Sequence, residues 1–151
     1  MSVTLSQDVI DLANDPATIK VLVTVDPDGV PHAVPKQSLH VAADGKVHYL
    51  EILETSTTNR NLVHSIWFDR LVTIALIGAE RRVQIKGRPV KNHITGPLFL
   101  EHYRRFRERG DLAGVWVIEP EQVIDQDPKA RRSAESAKHP AFIHLDRIAR
   151  T

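Results

Sequence analysis

The strongest constraint in the sequence is a β-hairpin whose second strand contains two prolines. Residues 18–25 read TIKVLVTV, an alternating run rich in β-branched side chains that predicts a strand. Residues 26–29, DPDG, predict a turn, because proline sets φ and glycine accepts a positive φ. Residues 30–41 should return as a second strand, but Pro31 and Pro35 exclude a central, fully paired position. We expect this strand at a sheet edge, or bulged where something other than a neighbouring strand approaches it.

The rest of the chain alternates short strands with short helices. Further strands are predicted from β-branched or alternating runs over residues 46–53, 71–77, 82–90 and 113–118. Helices are predicted over residues 5–14, after the polar residues 54–62, and from Pro97 to Gly110. Six strands with short connections indicate an antiparallel sheet that closes into a small barrel, and an open α+β sheet is the alternative.

Composition and charge narrow the classes of function. The 151 residues fit one domain, with residues 1–125 as the barrel and residues 126–151, irregular at 125–132, as a C-terminal arm or tail. A net charge of +1 argues against nucleic-acid binding, and the absence of cysteine excludes thiolate and iron–sulfur chemistry. No apolar run reaches the length of a membrane span, and the first residues lack a signal-peptide pattern, so a cytoplasmic protein is expected.

Residues 56–61, with the sequence STTNRN, form a candidate anion site. The start of a helix exposes unpaired N–H groups and the positive end of the helix dipole, and both favour negative charge. A phosphate at this position would be held by Thr57, Thr58 and Arg60. An ordinary capped helix at the surface is the alternative.

Cations on two predicted strands are further candidates. The strand over residues 82–90 places three cations and Gln84 on one face, where they repel one another unless a carboxylate, a phosphate or a partner subunit compensates. A solvated edge face is the alternative. Lys36 follows Pro35, where a ligand could take the backbone hydrogen bonds that proline interrupts. An isolated lysine on an edge strand can also serve solubility alone.

The eight histidines form no recognisable metal-binding motif. His32, His40 and His48 lie on predicted strands, without a His-x-x-x-His or Glu-x-x-His pair. The sequence also has no nucleophile elbow and no phosphate-binding glycine loop. We therefore expect no metal site and no covalent hydrolase chemistry.

Taken in order, five segments resemble the FMN-binding split barrels of the pyridoxamine-phosphate-oxidase-like superfamily. They are VLVTVDPDGVPHAVPK (21–36), STTNRNL (56–62), RRVQIKG (81–87), TGPLFLEHYRRF (95–106) and AGVWVIEPEQV (113–123). The last two are similar to the small FMN-binding proteins of sulfate-reducing bacteria. The resemblance covers residues 5–125. It implies a mainly β fold with flanking helices, a six-stranded antiparallel split β-barrel that holds FMN at a homodimer interface.

The resemblance also implies which residues hold the cofactor. The isoalloxazine ring would lie along the second strand and touch the third, at Val34, Pro35, Lys36, Gln37, Leu50 and Glu51. The ribityl phosphate would be held by the loop and helix start, at Thr57, Thr58, Arg60 and Asn61. The fifth strand would add Gln84 and Lys86, and the sixth strand of a second subunit would place the partner's Trp116 near the ring.

The implied function is that of an FMN-dependent oxidoreductase or electron-transfer flavoprotein, with a small molecule or a protein as electron donor or acceptor. A non-catalytic protein that binds flavin, deazaflavin or haem is the alternative, and His32 or His64 would then serve a haem. A cofactor-free structural dimer is a third interpretation. The C-terminal substrate motif of the vitamin-forming oxidases is reduced here to HLDR at residues 144–147, so oxidation of pyridoxine phosphate is not expected.

Overall fold

Seven strands form one antiparallel sheet, which curls into a half-barrel with helices on its flanks. The structure is a computed structural model, and it describes residues 2–106 and 112–138. In chain order its elements are α1 (Gln7–Asn14), β1 (Ile19–Val25), β2 (Pro31–Pro35), β3 (His40–Val41), β4 (Val47–Glu51), α2 (Thr57–Trp67), β5 (Val72–Ile77), β6 (Arg82–His93), α3 (Pro97–Phe106), β7 (Gly114–Asp125) and α4 (Pro128–Lys138). The strands lie side by side in the order β2-β1-β5-β6-β7-β4-β3.

The predicted number of six strands was wrong, because the second predicted strand is two strands. Residues 30–41 divide into β2 and β3, which lie at opposite edges of the sheet. Pro35 ends β2 since it has no N–H to donate, and a turn follows in which Leu39 N donates to the carbonyl of Lys36 at 3.1 Å. The predicted edge position of the proline-containing strand is confirmed, because β2 is the outermost strand beside β1.

The segment of residues 36–39 joins the two sheet edges and requires the sheet to curl. Seven strands laid flat would separate their edges by about 29 Å at the usual interstrand spacing. The five residue steps from the end of β2 to the start of β3 span at most roughly 18 Å. Lys36 N donates to the carbonyl of Lys20 on β1 at 2.8 Å, and Ser38 Oγ accepts from Leu50 N on β4 at 3.2 Å. The segment is therefore bonded to the strand next to each edge and holds the two edges of the half-barrel near one another.

The last strand extends to Asp125, beyond the predicted range of residues 113–118. Pro120 lies within β7 opposite Gly87, at a point where the register between β6 and β7 shifts. A bulge accepts proline because the ladder hydrogen bonds are interrupted there. A Cβ atom on Gly87 would lie 2.6 Å from Cγ2 of Ile118, so glycine is needed for the close approach of the two strands.

Two apolar clusters hold the helices to the sheet. The barrel interior is filled by inward side chains of the strands and sealed by α1 and α2, and its largest members are Tyr49, Leu22, Leu62, Ile74, Ile85, Trp116 and Ile118. Outside the barrel, α3 covers β4 and β7 through contacts among Leu98, Phe99, Tyr103, Leu50, Leu112 and Val115. β4 is consequently buried on both of its faces.

Helices were predicted near the starts of α1 and α3, where α1 begins after Ser6 and α3 at Pro97. The second helix was expected after the polar residues 54–62, but α2 begins earlier, after Ser56, so part of that polar stretch is helical. Residues 125–132 were expected to be irregular, but α4 begins at Pro128, and none of its side chains is buried. Gly110 and the HLDR motif lie outside the described residues. Within the described part of the chain, no helix is long and apolar enough to cross a membrane.

Candidate functional site

The start of α2 presents an exposed polar surface. Ser56 caps the helix, its Oγ accepting from Asn59 N at 2.9 Å. Thr57 and Arg60 are exposed on the first turn, where an Arg60 guanidinium N–H donates to Thr57 Oγ1 at 3.4 Å. The first turn contains no acidic residue. A hydroxyl, a guanidinium and the positive end of a helix dipole therefore meet at one exposed point, an arrangement that favours an anion.

Two other residues predicted for this loop point into the protein instead. Thr58 and Asn61 are buried on the inner face of α2. Asn61 Nδ2 donates to Thr24 Oγ1 on β1 at 3.0 Å. These side chains fasten the helix to the barrel, so their contribution to a bound ligand would come through the position of the helix.

Behind the helix start lies a buried carboxylate. Glu51, the last residue of β4, is 1 % exposed. Its Oε2 accepts from the Tyr49 hydroxyl at 2.5 Å and from Ser56 Oγ at 2.9 Å, and its Oε1 accepts from Leu53 N at 3.1 Å. Burial and the neighbouring Glu51 carboxylate raise the pKa of the Tyr49 phenol, so this hydroxyl stays protonated as a donor. The family resemblance predicts that Glu51 contacts the cofactor. The structure places Glu51 in a hydrogen-bonded network with Tyr49, Leu53 and Ser56, which we name the Glu51 network.

Asn59 connects this network to the barrel core. Its side-chain Oδ1 accepts from the Trp116 indole N–H at 2.9 Å, and its Nδ2 donates to the carbonyl of Glu54 at 2.9 Å. Trp116 itself is 1 % exposed and belongs to the core of its own chain. Sequence reasoning missed Asn59, because its partner Trp116 is 57 residues away and no local pattern announces such a contact.

The edge segment predicted to flank a flavin ring lies beside the same network. Lys36 Nζ is 5.4 Å from the centre of the Tyr49 ring, within the range of a cation–π contact. Val34 is half-buried and Pro35 is exposed on β2. The exposed Gln37 is held by its Nε2, which donates to the carbonyls of Pro16 and Thr18. Lys36 is therefore the predicted strand residue that the structure brings closest to the Glu51 network through a recorded contact.

The remaining predicted residues lie elsewhere. Leu50 is buried beneath α3, on the opposite face of β4 from Glu51. The predicted alternation of β6 is confirmed, with Val83 and Ile85 buried and Gln84 on the other face. On that face Lys86 Nζ donates to Thr73 Oγ1 at 2.9 Å.

Carboxylates compensate one of the β6 cations. Arg88 donates to Glu121 at 2.9 Å and also pairs with Asp69, just beyond the C-terminal end of α2. Hydrogen bonding to Glu121, followed by the charges of both carboxylates, raises the pKa of Arg88. α2 has eleven residues, so Asp69 and Thr57 are separated by about 16 Å of helix. Arg88 is consequently not part of the surface at the helix start.

An open apolar groove of about 480 Å³ begins in the loop that leads into α2. Its lining among the described residues is Ile52, Glu54, Ile94, Phe99, Leu112 and Ala113. An apolar wall next to a few polar groups is typical of sites for organic ligands.

A second polar cluster lies on the outer face of β4, beneath α3. The His40 ring is 5.6 Å from that of His48 and 5.8 Å from that of His102, between ring centres. His40 Nδ1 donates to the carbonyl of Ser38 at 2.8 Å, and His48 Nε2 donates to Asp44 Oδ2 at 2.9 Å. We name His40, His48 and His102 the outer histidine cluster. Among the described residues, no group of three donors is arranged to hold a metal ion.

Burial governs the protonation of this cluster. Loss of solvation lowers the pKa of His40 and of His102, and nearby positive charge lowers each further. Burial, with Lys91 and His48 nearby, also lowers the pKa of His93 at the end of β6. His48 Nδ1 is buried without a hydrogen-bond partner. Burial therefore favours the neutral imidazoles of His40, His93 and His102.

The histidines considered for haem lie apart from this cluster. His32 is half-buried on the edge strand β2. His64 is on α2, its ring centre 4.6 Å from that of Phe68 with the two ring planes tilted by 36°, and its buried Nδ1 has no hydrogen-bond partner.

Comparisons with known proteins bear on the fold. The sequence matches no protein-family model, and no curated protein matches it at a significant level. HupZ of Group A Streptococcus superposes with a TM-score of 0.66 at 22% identity, covering 83% of this chain and 96% of HupZ. A candidate pyridoxamine 5'-phosphate oxidase from Lactobacillus delbrueckii superposes with a TM-score of 0.62 at 21% identity, covering 80% and 93%.

Other similar structures carry names that point to different ligands. An FMN-binding protein of Syntrophomonas wolfei superposes with a TM-score of 0.60 at 12% identity over 80% of this chain and 87% of its own. An F420 reductase and HutZ, the haem storage protein of Vibrio cholerae, give TM-scores of 0.58 and 0.56. The chain therefore shares its fold, a curled antiparallel half-barrel of seven strands, with these proteins.

Proposed function

We propose that this chain binds FMN, with the phosphate at the start of α2, and acts as a redox flavoprotein. The observation that carries the proposal is the first turn of α2, where exposed Thr57 and Arg60 meet the positive end of a capped helix that has no acidic residue. The similarity to an FMN-binding protein supports a flavin in this fold. Bound flavin would supply hydride or electron transfer.

The ring would lie along the edge segment at residues 34–37, as the family resemblance implies. β2 is an outer strand, so one of its sides is open to a ligand. Lys36 is the cation of this segment, and its ammonium group would favour negative charge on a reduced flavin. Gln84 and Lys86 on β6 are proposed to contact the flavin as well. In the structure, Gln84 accepts a hydrogen bond from Gln126 and Lys86 donates one to Thr73.

A second copy of the chain is proposed to cover the cofactor. Thr57 and Arg60 are exposed, so a flavin on a single copy would be open to water. The last turn of α2 also exposes large apolar side chains, with Trp67 77% and Phe68 66% exposed and Val63, Ile66 and Leu71 near 40%. Surfaces of this kind mark interaction sites. A two-fold dimer would bury this surface and bring a second wall to the site.

Haem binding is the second candidate function. The similarity to HutZ and the unpartnered Nδ1 of His64 favour it. A deazaflavin such as F420 is a variant of the first proposal, because an F420 reductase shares the fold.

The absorption spectrum of the purified protein, followed by titration with FMN, tests the proposal. We expect the two visible and near-ultraviolet bands of bound flavin, bleached by dithionite. A Soret band on addition of haem, with no response to FMN, would support the second candidate and overturn the first. Sedimentation of a stable monomer in the presence of FMN would contradict the dimer.

Arg60→Glu tests the position of the phosphate. Removing a charge-assisted hydrogen bond and adding a negative charge should weaken FMN binding about tenfold or more. Arg104→Glu makes the same change at an exposed position on α3 and serves as the matched control. Equal FMN affinities for the two variants would contradict a phosphate at α2.

A further inference from the structure

The hydrogen bonds of the Glu51 network fix which groups at the start of α2 are free. Four N–H groups at a helix start lack partners within the helix. Two of them are satisfied here, because Ser56 N donates to the carbonyl of Leu53 at 3.0 Å and Asn59 N donates to Ser56 Oγ at 2.9 Å. The backbone N–H groups of Thr57 and Thr58 are the other two, and the structure records no acceptor for either. An anion would reach the N–H of Thr57 directly, because this residue is exposed, whereas Thr58 is only 2% exposed.

The direction of the Ser56 hydrogen bond depends on Glu51. A serine hydroxyl has a single proton, and Ser56 donates it to Glu51 Oε2. Because Ser56 gives its proton to Glu51, the lone pairs of Ser56 Oγ are left for Asn59 N. Tyr49 donates to the same Oε2 and fixes the carboxylate from its other side. The capping geometry of α2 is therefore set by two residues of β4.

The anchoring extends through Asn59 to the barrel. Its backbone N–H and both polar atoms of its side chain are hydrogen bonded, to Ser56, Glu54 and Trp116. Since Trp116 is a core residue, the first turn of α2 is held rigidly at two points, one on β4 and one on β7. A rigid first turn is what a precisely placed phosphate subsite needs.

We propose that Glu51 and Tyr49 are positioning residues of the phosphate subsite. They do not touch the ligand. They hold residues 53–56 so that the free N–H group of Thr57 converges with the Arg60 guanidinium on one phosphate. This inference rests on the proposed flavin binding, and it assigns Glu51 a role behind the site in place of the ring contact that the family resemblance implies.

The test compares FMN with riboflavin, which has the same ring and no phosphate. Dissociation constants for both are measured for the wild type, Tyr49→Phe and Glu51→Gln. Tyr49→Phe removes one donor to the carboxylate, and Glu51→Gln replaces one acceptor oxygen with a donor that opposes the Ser56 or Tyr49 proton. The inference predicts that each variant weakens FMN binding about tenfold and leaves riboflavin within about twofold of wild type.

Ser65→Ala is the matched control, and unfolding curves accompany every variant. Ser65 is buried in the same helix and donates to the carbonyl of Asn61 at 2.8 Å, away from the first turn. It should leave the ratio of riboflavin to FMN dissociation constants unchanged. If Glu51→Gln does not fold, Tyr49→Phe carries the test alone.

Two outcomes overturn the inference, and they are distinguishable. Equal weakening of FMN and riboflavin, or no change in either, would give Tyr49 and Glu51 a structural role alone while flavin binding by the wild type stands. A wild type that binds neither flavin would overturn the proposed function and the positioning role together.

Discussion

The two faces of β4 carry two different kinds of buried polar cluster. On the inner face, Tyr49 and Glu51 belong to the Glu51 network, whose members all lie within eight residues of sequence. On the outer face, His48 contacts His40 of β3, and His40 in turn contacts His102 of α3. The first cluster contains a carboxylate with three donors, and the second contains rings with an unsatisfied buried nitrogen.

This difference separates a cluster that organises a surface from one that depends on pH. A buried charge is stable when donors surround it, and it then fixes the groups that donate. Neutral imidazoles tolerate burial without full hydrogen bonding, but a proton on them does not. We therefore expect the inner cluster to matter for ligand binding and the outer cluster to matter for stability in acid.

The largest expected effect comes from deleting the inner carboxylate. Glu51→Ala leaves the Tyr49 hydroxyl, the Ser56 hydroxyl and Leu53 N without their acceptor. The Tyr49 hydroxyl is buried and costs about 1–3 kcal/mol when unsatisfied, whereas water can reach the exposed Leu53 and the half-buried Ser56, so the free energy of unfolding should fall by about 1–3 kcal/mol. Urea unfolding at pH 7 measures it, and a loss below about 1 kcal/mol would show that the network contributes little.

The outer cluster should respond to acid. The folded pKa values of His40, His102 and His93 lie below those of the unfolded chain, so folding favours the neutral rings. The contribution of these neutral rings to the free energy of unfolding is fully present above the ordinary histidine pKa of about 6.5 and is lost as the pH falls below it. The free energy of unfolding decreases by up to about 1.4 kcal/mol per pH unit for each proton that the unfolded state gains.

Urea unfolding between pH 7.5 and 5 measures this dependence. His102→Leu should reduce the pH dependence of the free energy of unfolding, while His32→Gln, on the opposite sheet edge, should not. The charged and titratable groups near the cluster are His40, His48, His93, His102, Asp44, Lys20, Lys91, Glu101 and Arg105. If the free energy of unfolding depends equally on pH in the wild type and in His102→Leu, His102 on α3 does not contribute to the loss of stability in acid.

The smallest expected effect comes from removing the hydrogen bond between Trp116 and Asn59. Trp116→Phe keeps most of the apolar contacts in the core and removes the N–H that donates to Asn59. We expect a loss of about 1 kcal/mol in the free energy of unfolding, together with weaker FMN binding and unchanged riboflavin binding. Riboflavin binding that weakens in step with FMN would indicate that Trp116 supports the ring region instead.

Local signals in the sequence predicted much of the fold. Pro31 and Pro35 predicted an edge strand, the alternation over residues 82–90 predicted β6, and Pro97 predicted the start of α3. The division of residues 30–41 escaped prediction, because it depends on closure of the barrel between two distant strands. The helix α4 escaped as well, since its charged sequence has no apolar stripe to indicate it.

The candidate site was predicted in its exposed part and not in its buried part. Thr57 and Arg60 follow from the rules for helix starts. The interior positions of Glu51 and Trp116 depend on the register between β4 and β7, in which Tyr49 pairs with Trp116. Such a register is set by packing across the whole sheet, which a linear pattern does not contain.

Paired titrations of the wild type with FMN and riboflavin would show whether the start of α2 binds a phosphate. FMN should bind at least about tenfold more tightly than riboflavin, because only FMN has a phosphate to reach Arg60 and the first turn of α2. Equal affinities for the two flavins would contradict a phosphate subsite at this helix.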